Sequence, residues 1–291
     1  MIGLRIIDTL EQQDWLDRIS QATQQALQQL IKAGGPIAHQ IEDRLHGTGL
    51  GHPIHPAITD IPIGAWTVAL VFDSIETLNG DDSLAPGADS AIALGLAGAV
   101  SAAASGIADW QALDTKPLRI GFVHGLLNIS ATLLYATSLL LRRRGDRAAG
   151  RGLALAGYGI ALTAAYLGGD LVYRDRIGVS HANPVWTALK FTAVLADDEL
   201  AEGELRRVDV GHRAIMLARQ GGTIYALDEH CSHLGGPLSE GSLEDGSVRC
   251  PWHGSCFRLA DGTPIDGPAA IPQPCFETRV RSGQIEVRAA R

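Results

Sequence analysis

HCSHLGGPLSEG (residues 230–241) and RCPWHGSCF (residues 249–257) each bring a cysteine and a histidine together in a short turn that runs on into glycine. The first pair is Cys231-x-His233, and the second, further along the chain, is Cys250-x-x-His253. Two loops of one design can clasp a metal centre between them. Two cysteines and two histidines also make a structural zinc site, but zinc knuckles usually leave two or more residues between paired ligands and lack the LGGPL and PWHGS surroundings. Around the loops, Leu189 to Leu195, Arg213 to Arg219, Thr223 to Asp228 and Gln284 to Arg288 read as short strands, with turns at Gly221-Gly222 and Ser282-Gly283. The spacing predicts a small all-β domain.

From about Leu189 to Arg291 the chain resembles the Rieske [2Fe-2S] domain, with C-x-H, C-x2-H and the Gly-Pro-Leu and His-Gly flanks all in place. The resemblance implies that Cys231 and Cys250 hold one iron as thiolates. It implies that His233 and His253 hold the other iron through neutral imidazoles. Two neutral ligands raise the reduction potential, to roughly −150 to +300 mV. High-potential relatives in respiratory complexes carry a second cysteine in each loop, joined as a disulfide; Gly236 and Trp252 stand at those positions. Of the Ser and Tyr hydroxyls that tune the cluster in those relatives, Ser255 is kept as a cofactor-binding residue, and Phe257 replaces the tyrosine. Hydrogen bonds to cluster sulfur favour the reduced form, so the expected potential lies between the ferredoxin-like and respiratory ends. Cys256 and Cys275 read as small apolar residues, with a bond between them left open, and His230 reads as a surface residue. No histidine occurs anywhere after His253, which argues against the mononuclear iron triad of Rieske oxygenases.

Upstream the composition changes. Four apolar segments, roughly Ile61 to Leu78, Ala88 to Ala108, Gly121 to Leu141 and Gly152 to Val172, each approach the ~20 residues needed to cross a bilayer. They predict an all-α four-helix transmembrane bundle. The second, rich in Gly, Ala and Ser at small-xxx-small spacing, allows close helix approach. Before the bundle, apolar residues at helical spacing from Asp8 to Lys32 predict an amphipathic helix. Its polar face is not basic, which favours packing against protein over lying on lipid. The expected organisation is an N-terminal helical region at 1–45, a membrane domain at 46–182, broken off by Asn183-Pro184, and the β domain at 183–291.

If the four segments alternate in direction, His52, His55, Asp60, Asp109, Trp110, His124, Asn128, Asp170, Tyr173, Arg174 and His181 fall on one membrane face, the face from which the β domain emerges. Ionisable groups near a bilayer are costly unless paired or wetted. Two cofactors are compatible with this cluster: a b-type haem ligated by His55 and His124, or a quinone pocket in which a histidine exchanges a proton. Asp73, well inside the first segment, reads as a buried hydrogen-bonding group or a proton relay. The six histidines of this half form no histidine boxes, which argues against a di-iron desaturase. With GHPIHPAITDIPIGAW at 51–66 and Asp73, the region from about 45 to 182 resembles the DUF2231 membrane-domain family, which implies a fold but no activity.

A formal net charge of −8 argues against a nucleic-acid partner. The four cysteines all follow residue 230, so they point to a local metal site and not a disulfide scaffold. The N-terminus shows no signal-peptide pattern. The basic loop from Arg142 to Arg151 leans toward the cytoplasm and puts the β domain outside, although Arg44, Lys116, Arg119, Arg174, Arg176 and Lys190 nearly balance it on the other face. The expected protein is a multi-pass bacterial membrane protein that transfers single electrons between a quinone, haem or redox protein and a partner. The alternatives are a membrane oxidoreductase with its active site in the bundle, fed by its own cluster, and a redox sensor.

Overall fold

The computed structural model describes residues 7, 9–10, 12–183 and 190–289. Asp8, Pro184 and Leu189, where a helix start, a helix break and a strand start are expected, lie outside the described residues. The chain divides into two compact units, Met1–Leu45 with Ile54–Asp175, and His46–Pro53 with Arg176–Arg291.

The first unit is helical: α1 (Asp14–Ala33), α2 (Gly35–His46), α3 (Ile54–Asn79), α4 (Ala85–Trp110), α5 (Thr115–Arg143) and α6 (Arg147–Tyr173). Of these, α2 lies within the helical region expected at 1–45 but beyond the single helix expected from Asp8 to Lys32. Helices α3 to α6 are long and apolar enough to cross a membrane. Many of their large apolar side chains, such as Leu94, Leu133 and Leu155, point outward, while small residues such as Ala69, Ala102, Ala131 and Ala164 are buried between the helices beside Trp66, Ile92 and Tyr135. That distribution suits lipid, where close backbone packing takes the place of the hydrophobic effect between helices.

Helix α3 packs on α4 and α5 on α6, and the two hairpins close into the bundle. They are repeats of one unit. His55, Trp66 and Asp73 of α3 have counterparts, at one constant offset, in His124, Tyr135 and Arg142 of α5. Gly95, Ala102 and Gly106 of α4 correspond in the same way to Gly157, Ala164 and Gly168 of α6. Contacts repeat as well as residues. Gly95 makes room for the Trp66 indole and Gly157 for the Tyr135 ring, while Gly106 and Gly168 do the same for His55 and His124. Each of these α3 residues also meets its own counterpart. The His55 and His124 rings lie 6.4 Å apart, Trp66 stacks on Tyr135 at 4.0 Å and 10°, and Arg142 donates to Asp73 at 2.7 Å. A residue that touches its equivalent sits on the axis relating the repeats. The bundle therefore has a pseudo-two-fold axis parallel to its helices, threaded by three layers.

Asp73 is thus a buried ion-pair partner. A wider network surrounds it: Arg142 also reaches Asp89 at 3.4 Å, Arg147 reaches Asp89 at 3.1 Å, and Arg151 reaches Glu76 and Asp82 at 2.6 Å each. Three arginines of the basic loop are in this way committed to carboxylates of α3, α4 and the loop joining them, leaving Arg143 and Arg144 exposed.

Helix α1 does pack against the protein, but chiefly through polar groups. Gln24 donates to the Gln111 and Leu113 carbonyls and Gln28 to that of Gln111, covering carbonyls beyond the end of α4. Asp17 pairs with Arg119 near the start of α5.

The second unit carries two antiparallel sheets. Strands β1 (Thr192–Ala196), β2 (Leu205–Val210), β3 (Arg213–Gln220), β4 (Thr223–Asp228), β9 (Cys275–Arg281) and β10 (Gln284–Ala289) form one, in the order β1-β10-β9-β4-β3-β2. The other is β5 (Ser242–Glu244), β6 (Ser247–Arg249), β7 (Cys256–Arg258) and β8 (Pro264–Asp266), in sequence order. The two expected turns are tight hairpins. Gly221 and Gly222 have φ of 61° and 73°, the left-handed pair that a two-residue turn between twisted strands requires. Residues 214–218 of β3 are buried throughout, so no alternating pattern marks that strand. The small sheet holds the cysteine- and histidine-bearing loops, the first running from β4 to β5 and the second joining β6 to β7.

Candidate metal centre

The two loops have the same backbone bonding. Cys231 N–H donates to the Gly236 carbonyl and Cys250 N–H to that of Ser255, both at 2.8 Å; Gly235 and Gly254 N–H donate back to the Cys231 and Cys250 carbonyls. Each returning glycine has a positive φ, 80° and 75°, a conformation that would strain a side chain. Gly236 is needed for space: a Cβ there would lie 2.8 Å from the Cys250 sulfur and 3.0 Å from the Trp252 ring. Trp252 therefore rests on Gly236, and this contact joins the loops at the positions where the resemblance implies a disulfide in respiratory relatives.

Cys231 and Cys250 are buried, free and hydrogen-bonded to one another. The bond from the Cys231 thiol holds Cys250 low, at about 7, and the same bond together with burial pushes Cys231 up. Backbone N–H groups of His233 and Leu234 point at the Cys231 sulfur, and those of Trp252 and His253 at Cys250. The His233 and His253 rings lie 5.1 Å apart and nearly perpendicular, both half-buried. Burial, with His253, His46 and His181 nearby, holds His233 down at about 3, so its ring is neutral at physiological pH. Its Nδ1 is buried without a hydrogen-bond partner among the described residues. Such an atom is costly unless a ligand takes its lone pair.

These observations fit a two-iron cluster. The sulfurs pair with each other and the imidazoles with each other, but no three of the four residues bring ligand atoms within 4.8 Å of one another. A single tetrahedral zinc ion would need all four around one point. Cys231 and Cys250 would hold one iron of a [2Fe-2S] group, and His233 and His253 the other.

Several supporting residues carry no signal in the sequence. Buried Gln273 accepts from Ser232 N–H at 2.9 Å and donates to the Asp228 and His230 carbonyls at 2.7 Å each, pinning the first loop. Arg249 ties the second loop to Glu244, Asp266 and the Gly254 carbonyl at 2.6, 2.6 and 2.7 Å. Thr48, from the segment before α3, donates to the Gly267 carbonyl at 2.8 Å, and His181 N–H donates to that of Ser232 at 3.0 Å.

Ser255 is fully buried and its Oγ accepts from Ala269 N–H at 3.1 Å, leaving the hydroxyl proton to be donated elsewhere. Phe257 is fully buried in the same core. Cys256 contacts the Ser247 hydroxyl and Cys275 the Gln273 carbonyl; both are free thiols, and burial raises both, Cys275 to about 11. His230 is half-exposed beside Asp228. Of the histidines assigned to one membrane face, His55 and His124 meet within the bundle. His52 is exposed with its ring on the Pro53 carbonyl, and His181 belongs to the β unit.

The family described as Rieske [2Fe-2S] domain matches residues 190–277, and the predicted membrane protein family DUF2231 matches residues 51–181. Human apoptosis-inducing factor 3 is 32% identical over 117 residues, which cover 40% of this chain and only 19% of that protein. Ferredoxin CarAc of Metapseudomonas resinovorans is 35% identical over 36% of this chain and 94% of its own length. The anthranilate 1,2-dioxygenase ferredoxin subunit of Burkholderia cepacia is 36% identical over 32% of this chain and 85% of its own. By its metal-ready loops and by these ferredoxin relatives, the chain belongs to the Rieske [2Fe-2S] family, with its iron–sulfur domain placed after a DUF2231 membrane domain.

Proposed function

We propose that this protein is a membrane-held one-electron carrier of a bacterial cell membrane. In this reading its C-terminal domain exchanges electrons with a redox protein, and the second redox partner is membrane-bound, a quinone or a haem. The observation that carries the reading is the pairing of two buried cysteines and two half-buried histidines, one with an orphaned nitrogen, in a chain that also contains four apolar spans. A Rieske cluster takes up and releases one electron at a time. Around it the chain supplies backbone N–H groups aimed at both cysteine sulfurs, the neutral imidazole of His233 beside that of His253, and Ser255 as the one cluster-tuning hydroxyl. With Phe257 offering no second hydroxyl, the potential falls below that of respiratory relatives. By the positive-inside rule the exposed Arg143 and Arg144 mark their loop as cytoplasmic, and we propose that the cluster domain lies outside the cell.

Redox titration of the purified protein, followed by electron paramagnetic resonance, tests this. The expected result is one [2Fe-2S] cluster per chain titrating as a one-electron centre below the respiratory range. Zinc in place of iron and sulfide, or a potential above that range, overturns the reading.

A further inference from the structure

We infer that the membrane domain binds a b-type haem whose iron is held by His55 and His124 across the pseudo-two-fold axis. This deepens the carrier reading by naming its membrane partner.

The tautomers are set by the bundle. His55 Nδ1 hydrogen-bonds the Ala102 carbonyl at 2.9 Å, and His124 Nδ1 that of Ala164 at 2.8 Å. A carbonyl only accepts, so both rings carry their proton on Nδ1 and keep a lone pair on Nε2. Ligating histidines are commonly oriented by such a bond from the other nitrogen. Because Ala102 and Ala164 are equivalent in the two repeats, one device is present twice. Gly106 and Gly168 give it room, since a Cβ at either would come within 2.7 and 3.0 Å of the ring it faces.

Distance and ligand count name the occupant. Two imidazoles on opposite sides of a metal, with about 2.05 Å per bond and about 1.1 Å from each nitrogen to the ring centre, put their centroids roughly 6.3 Å apart. The observed separation is 6.4 Å, with ring planes at 85°. No third histidine, cysteine or carboxylate joins the pair among the described residues. A bare divalent ion would be left with two protein ligands where it needs about four. Haem iron brings four nitrogens of its own and asks the protein for two axial ligands. A quinone fits less well. Its carbonyls need donors, whereas the two Nε2 atoms are acceptors, and a quinone between the rings would require a hydrogen bond of about 2.8 Å at each end plus its own width.

Divergence along the axis points the same way. Trp faces Tyr and Asp faces Arg, so two layers have become complementary pairs, while the third has stayed His facing His. Two imidazoles that each keep a lone pair on Nε2 do not complement each other. Only His124 Nε2 has a donor among the described residues, the Asn128 amide at 3.1 Å, and that amide also lies 3.0 Å from the His124 carbonyl, to which it can remain bonded once Nε2 is ligated.

The test uses full-length protein from haem-replete cells, supplemented with haemin after purification, with haem read by pyridine haemochrome and by optical and paramagnetic resonance spectra. One low-spin haem per chain is expected, with the anisotropic signal of perpendicular axial imidazoles. His55→Ala and His124→Ala should each lower haem at least tenfold while the cluster signal, which reports folding, persists. Failure to bind haem before or after haemin addition overturns the inference, as does retention of low-spin haem in both variants, or a bare metal ion lost in their place. Haem without a cluster would sink the carrier reading and leave this one standing.

Discussion

Cys231 and Cys250 each lie at the start of a loop that closes on itself through the same pair of backbone bonds, so each sulfur is held by its own peptide groups before any metal arrives. Replacing either by serine removes a thiolate ligand and should abolish the cluster signal, with the serine variants still soluble in detergent as membrane proteins. Phe257 sits in the core that contains both cysteines. Phe257→Tyr would introduce a hydroxyl beside the cluster; a hydrogen bond stronger by about 1 kcal/mol in the reduced state raises a one-electron potential by roughly 40 mV, which redox titration reads directly. Gln273 satisfies three backbone groups of the first loop. Gln273→Ala should cost about 2–4 kcal/mol, seen as a lowered melting temperature of the cluster-bearing domain. The two cysteine–histidine loops were legible because each pair is nearly contiguous in the chain. Gln273 and Arg249 were not, since a lone polar residue shows nothing of what it will be folded against.

At the scale of elements, the long helices could be read from length and apolarity, and the hairpins from Gly-Gly and Ser-Gly. Strands β5 to β8 have three residues each, too few for a period to register, and β3 is buried along five successive positions. The repeat in the bundle is hidden for another reason: most counterparts keep position but not identity, and the matches by name, the histidines, two glycine pairs, Leu70/Leu139 and a few alanines, are scattered along the helices. Its charged layer is the most exacting. Removing one member of the buried Asp73–Arg142 pair strands the other, so Asp73→Asn or Arg142→Gln should each destabilise the bundle by about 3–5 kcal/mol. The exchanged double variant should recover much of that, as measured by denaturation in detergent. Asp17 gives a pH prediction for α1. Its hydrogen bond from Arg119 holds its carboxyl below the usual value, so the attachment is complete above the ordinary aspartate range, near pH 4. It weakens as pH falls through the lowered value. Proteolysis of α1 by an acid-active protease should accelerate only in that acidic window in the native protein, and Arg119→Gln should make α1 susceptible at neutral pH to a protease active there.

Over the whole molecule, two units of different construction share one chain. One is a lipid-suited bundle of two hairpins with corresponding contacts, and the other is a β domain whose small sheet holds two loops. The order of the two was plain from the sequence, and so was the metal chemistry of the second. What the bundle contributes rests on three layers of side chains that meet across a full repeat of the chain, a spacing with no local signature. Central to the proposed chemistry is that two irons would be held between a cysteine pair and a histidine pair. Pulsed paramagnetic resonance of the reduced, full-length protein measures this most directly. The prediction is a single [2Fe-2S] centre with two strongly coupled imidazole nitrogens on one iron, lost in His233→Ala. A centre without nitrogen couplings, or a protein carrying zinc and no paramagnetic cluster, would contradict it.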